Sequence, residues 1–79
     1  MTPREAIAIV EHGLWYGRPD MFSETPPDTL RDALASLPLT ETAPVAVCED
    51  LGIPAGSPWR VARDAIVEAL GLPAFPAIN

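Results

Sequence analysis

Ten prolines in 79 residues constrain this chain more than any other feature, because proline has no amide hydrogen to donate and fits a helix only in its first turn. Most of them stand where a helix would begin or has just ended. Thr2-Pro3-Arg4-Glu5 has the form of a capping box, in which the threonine hydroxyl accepts from the amide three residues on and the glutamate reaches back. Thr25-Pro26-Pro27-Asp28, Thr42-Ala43-Pro44 and Ser57-Pro58 repeat the device, with Asp28 set against the positive end of a helix dipole and Ser57 as an N-cap. The stops are equally marked. Leu51-Gly52-Ile53-Pro54-Ala55 returns nineteen positions later as Leu70-Gly71-Leu72-Pro73-Ala74. Each copy offers a glycine for a left-handed C-cap, an apolar residue to fold back, and a proline that blocks continuation. This predicts Ile53 beside Cys48 and Leu72 beside Val67.

Between these marks the apolar residues recur at helical spacing. Ile7, Val10 and Leu14 form one stripe, and Leu30, Ala33, Leu34 and Leu37 a second. Val45, Val47, Cys48 and Leu51 form a third, and Val61, Ala62, Ala65, Ile66 and Ala69 are expected to face inward from a fourth helix. No segment alternates apolar and polar residues over a strand's length. The expectation is an all-α fold: a compact four-helix domain with helices at about 3–15, 26–37, 43–51 and 58–70 and an extended C-terminal tail over 72–79. Gly13 weakens the first helix slightly and Gly17 stops it. In the tail, Phe75 and Ile78 either anchor on the core or are offered to a partner. A single domain of this size gains only about 3–5 kcal/mol from its core, which leaves room for support from a partner or a second copy of the chain.

Composition closes off several classes of function. Eleven acidic residues face five arginines and no lysine, for a net charge of -6, which opposes binding to nucleic-acid phosphates and to anionic membranes. The longest apolar run, Ala6 to Val10, is far short of the roughly 20 residues that span a bilayer, and the N-terminus lacks a signal peptide's basic start and apolar core. One cysteine forms no intrachain disulfide. The chain therefore reads as soluble and cytoplasmic. His12 and Cys48 are the only histidine and cysteine, too few for a zinc site. Cys48 falls on the buried side of its helix as a core filler, and His12 lies near a helix end where it meets the dipole. Glu49 and Asp50 are adjacent and so point apart on a helix, the wrong arrangement for an acid and base pair. We expect no enzyme activity, no metal and no cofactor.

Two readings of function remain. The stretch CEDLGIPAGSPWRVARDAI, Cys48 to Ile66, reads as a helix, a glycine stop, a turn and a second helix with two arginines. Through Leu51, Gly52, Ile53, Pro54, Gly56 and Ser57 it resembles the helix-turn-helix of bacterial regulators and sigma-factor C-terminal regions. That resemblance covers under a quarter of the chain. It implies a DNA-binding transcriptional regulator, acting as a dimer through the 43–70 helix pair with Arg60 and Arg63 on the DNA. The chain departs from that pattern at Pro58, where such motifs bury an aliphatic residue, while Val61 comes three residues late and makes the turn longer than usual. Asp64 and Glu68 also share the helix with the arginines, a poor footprint for phosphate contacts.

The reading we favour starts from Gly13 to Ser23, GLWYGRPDMFS, which gathers Trp15, Tyr16 and Phe22 with Arg18 and Met21. Tryptophan, tyrosine, arginine and methionine are enriched at protein interfaces, although aromatics here, like Trp59, could equally close a small core. Glu24, Asp28, Asp32, Glu41, Glu49 and Asp50 would serve as an acidic docking face toward a larger protein with a basic surface, such as a nucleic-acid-binding protein whose phosphate ligand they imitate. The expectation is a non-enzymatic acidic protein-interaction module, an adaptor or inhibitor that works by steric and electrostatic occupation.

Overall fold

A computed structural model describes residues 1–15 and 21–73. Its elements run α1 (Pro3–Trp15), α2 (Pro27–Ser36), α3 (Val45–Leu51) and α4 (Trp59–Leu70), and among the described residues there is no strand, so the fold is all-α. Gly17 and the tail residues Phe75 and Ile78 lie outside the described residues. Helices α1 and α2 share the most extensive contact, α3 packs against α4, and α1 also touches α3. One continuous core joins both pairs, from Ala6, Val10 and Leu14 through Ala33 and Leu34 to Cys48, Trp59 and Ile66.

The starts of the helices follow the prolines, with a correction to how they are capped. At α1 the capping box forms in full: the Glu5 amide donates to Thr2 Oγ1 at 3.2 Å, and the Thr2 amide donates to Glu5 Oε1 at 3.2 Å. At α2, α3 and α4 the N-cap position is held by Pro26, Pro44 and Pro58, none of which has a side-chain cap. Thr25 and Ser57 are therefore not N-caps, because the proline after each disfavours helical geometry in its predecessor and itself occupies the boundary. Ser57 Oγ donates instead to the Pro54 carbonyl at 2.6 Å. The same rule ends α2 at Ser36, with Leu37 extended before Pro38.

Helix α3 begins two residues later than its sequence suggests because Ala43 is used elsewhere. Its amide donates to the Ser57 carbonyl at 2.9 Å, while the Trp59 and Arg60 amides donate to the carbonyls of Glu41 and Leu39 at 2.8 and 3.1 Å. This short antiparallel seam, centred on a bridge between Thr42 and Pro58, satisfies amides that open α4 and would otherwise lack intrahelical partners. It also carries Trp59 into the core, where it is the largest fully buried side chain.

The paired stops form as predicted. Gly52 and Gly71 take φ of 71° and 67°, and the amides of Ile53 and Leu72 donate to the carbonyls of Cys48 and Val67, each at 3.0 Å, the long bond of a Schellman motif. A β-carbon at Gly52 meets no neighbour within 4 Å, so Gly52→Ala carries only the cost of left-handed geometry, about 1 kcal/mol. For a domain this size that lowers the melting temperature by about 4–8 °C, which thermal denaturation followed by circular dichroism will read.

Two faces are rotated from the expected stripes. On α1 the buried set is Ala6, Val10, Gly13 and Leu14, with Ile7 only partly covered. On α4 it is Trp59, Ala62, Arg63, Ile66 and Val67, while Val61 is 39% exposed and Ala69 faces solvent. Placing Arg63 on the polar side turns the reading of α4 toward Val61. In the fold its whole side chain, guanidinium included, joins the covered face and is 9% exposed. Val45, expected inside, is also exposed.

Candidate functional site

The segment rich in aromatics divides at the end of α1. Phe22 has φ of 63°, a left-handed conformation rare for a bulky residue, and its amide donates to the Gly13 carbonyl at 3.1 Å. That geometry swings the ring back onto Gly13, where a β-carbon would overlap it. Phe22 and Met21 are consequently core residues, 5% and 6% exposed, and lie inside rather than on the surface where anchors are expected. Tyr16 and Arg18 lie outside the described residues. Trp15 goes the other way: it is 85% exposed, the most exposed large apolar side chain in the described structure.

Trp15 forms one wall of a groove of about 200 Å³ between α1 and α3, lined by Glu11, Leu14, Trp15, Ala46, Val47 and Asp50. Its construction follows from helical spacing. Glu11 and Trp15 are four apart on α1, as are Ala46 and Asp50 on α3, so each helix presents one pair along the groove. Leu14 and Val47, both buried, supply an apolar floor, and the small Ala46 leaves the opening free. The carboxylates of Glu11 and Asp50 stand exposed beside the indole. Sequence reading missed Glu11; its i, i+4 relation to Trp15 was the available signal.

The acidic residues do not gather at one place. Asp50 lines the Trp15 groove, Glu24 a second groove with Ile9, His12 and Thr29, and Asp28 a third with Met21, Arg31 and Leu72. Asp32 stands on α2, Glu41 in the seam before α3, and Glu49 beside Asp50 on α3, all exposed. The expected single docking face is thus reduced, at this groove, to Asp50 together with Glu11.

The two arginines of the DNA reading separate as well. Arg60 is exposed, but Arg63 is 7% exposed and its Nη2 donates to Asp64 Oδ1 at 3.5 Å. The amides that open α4 are engaged by Leu39 and Glu41 carbonyls, whereas phosphate contacts often use free amides at a helix start. Burial of Arg63 follows from its place on the same helical stripe as Trp59 and Ile66.

The remaining reactive groups sit apart from the groove. Cys48 is fully buried, with Sγ 3.9 Å from the Ala43 carbonyl. Its reaction with a disulfide reagent will therefore follow the rate of structural opening and jump once denaturant unfolds the chain. Rapid labelling of the native protein would contradict this packing. Among the described residues no group of three His, Cys, Asp or Glu side chains is placed to hold a metal, and no helix is long and apolar enough to cross a membrane.

One carboxyl has a displaced titration. The Thr2 backbone amide, followed by its hydroxyl, holds the Glu5 carboxyl below its ordinary value. Because the folded value is the lower one, the capping box contributes its stabilisation fully above the ordinary glutamate range and loses it as pH falls through the lowered folded value. A carbon-13 titration of the Glu5 carboxyl should show the lowered midpoint, and Thr2→Val, which removes the hydroxyl, should move that midpoint up. No protein-family model, curated protein or solved structure matches the chain.

Proposed function

We propose that this chain is a protein-interaction module that adapts or inhibits a larger partner by seating it on the groove between α1 and α3. The observation that carries the reading is Trp15, which leaves most of its surface in water beside an apolar floor while the neighbouring Met21 and Phe22 are packed inside. Exposing an indole to this extent forgoes most of the stabilisation its burial would bring, about 25 cal/mol per Å² of apolar surface. Tryptophan is also the residue type most often found to dominate an interface. The partner would cover Trp15, and the carboxylates at the rim would guide its approach and set its register.

The test compares wild-type and Trp15→Ala protein, each tagged and shown to be folded, in capture from native lysate with and without nuclease. The proposal expects a protein partner that resists nuclease and is reduced by an order of magnitude or more in the variant, the effect of losing an anchor worth about 2 kcal/mol. Equal capture by both proteins would remove the groove from consideration. Recovery of DNA that disappears with nuclease would favour the helix-turn-helix alternative instead.

A further inference from the structure

Resting on that reading, we infer that the Trp15 groove takes a cationic side chain, typified by arginine, from the partner. Its six lining residues comprise an indole, two carboxylates and three aliphatic side chains, with no cation among them. This combination matches the parts of an arginine in turn. The methylene stem lies along Leu14, Ala46 and Val47, which are apolar. The guanidinium plane stacks on the indole of Trp15, the ring type that attracts cations most strongly. Glu11 on one helix and Asp50 on the other then accept from a donor fork that is broad and flat.

Two further features favour a cation over an apolar plug. Trp15 is the last residue of α1, and the carbonyls of a helix's last turn carry partial negative charge that attracts cations. The whole chain carries a net charge of -6, so the long-range field draws a basic segment in and repels an acidic one. An uncharged apolar side chain would fill the floor but would bring both carboxylates toward a surface that gives them nothing in return for lost water.

The test is a titration of isotope-labelled full-length protein with the blocked tripeptide acetyl-Ala-Arg-Ala-amide, followed by nuclear magnetic resonance at the Trp15 indole N–H. The buried Trp59 indole reports in the same spectrum that the fold is intact. The control peptide carries citrulline, which keeps the shape and stem but removes the charge. The proposal expects a saturable shift of Trp15 with the arginine peptide and binding weaker by at least about fivefold with citrulline, the scale of an exposed cation–π contact and an ion pair together. Glu11→Gln with Asp50→Asn should shrink the difference between the peptides to the part contributed by the indole, while leaving the Trp59 signal in place.

Equal binding of the two peptides, or no saturable shift with arginine, would overturn the cationic assignment. These failures remain distinct from failure of the interaction reading itself. If capture of a partner still depends on Trp15, the groove is an interface with an apolar occupant; if capture does not depend on Trp15, the interface reading fails as well.

Discussion

Gly13→Ala is expected to destabilise the domain severely, although the same change in the middle of a solvent-facing helix is normally stabilising by about 1 kcal/mol. The added methyl group overlaps the ring of Phe22, which is buried and tied by its backbone to the Gly13 carbonyl. The ring cannot swing aside without leaving the core. Expelling it resembles deleting it, at about 3–5 kcal/mol for a buried phenylalanine, and the gain in helix propensity offsets only about 1 kcal/mol of that. A net loss of about 2–4 kcal/mol is comparable with the whole stability available to a domain of this size. Urea denaturation will read it as a large fall in midpoint, or as a chain unfolded in buffer. A rise in midpoint would show that Phe22 does not pack on α1. Phe22→Ala made in the Gly13→Ala background should cost little further, since both changes empty the same site.

The second large effect separates the two tryptophans. Trp59 is 1% exposed, and Trp59→Ala should cost about 3–5 kcal/mol by leaving a cavity where α4 meets the core. The seam that begins α4 uses only backbone atoms of residue 59, so Trp59→Phe should keep that seam and lose less. Trp15→Ala should change stability by no more than about 0.5 kcal/mol, because its side chain stands almost wholly in solvent. Denaturation midpoints of the three variants test this order. Fluorescence offers a parallel check: the protein retaining only Trp59 should emit at shorter wavelength and resist acrylamide, whereas the one retaining only Trp15 should be quenched readily. Similar quenching of both would place Trp59 near the surface and remove the distinction on which the functional reading rests.

The contrast between these tryptophans also shows what sequence could and could not reveal. Helix ends were legible because they rest on local backbone chemistry: proline marks a first turn, and Leu51-Gly52-Ile53-Pro54 can close a helix by contacts within six residues. Helix faces were less legible where one residue has two characters. Arg63 counts as polar, yet its whole side chain lies on the covered stripe, and placing it on the exposed side rotates α4. Phe22 could not be placed from spacing at all, since a positive φ and a glycine nine residues earlier decide its direction. For the candidate site, sequence marks Trp15 and Asp50 as binding residues but does not make them neighbours, because the approach of α3 to α1 is a tertiary event. Met21 and Phe22 share one short stretch with Trp15, yet they are buried while Trp15 is exposed, and the Phe22 amide bonds back to the Gly13 carbonyl.

The most direct test of the central claim, that Trp15 meets the partner, is to place the photoreactive residue benzoylphenylalanine at position 15 and, in a separate protein, at the exposed Ala35 of α2. Both proteins would be irradiated in native lysate. The account predicts a discrete cross-linked protein from position 15, absent from position 35, and suppressed by excess unlabelled wild-type chain but not by excess Trp15→Ala. The same product from both positions, or a partner captured by the wild type that never cross-links through position 15, would contradict it.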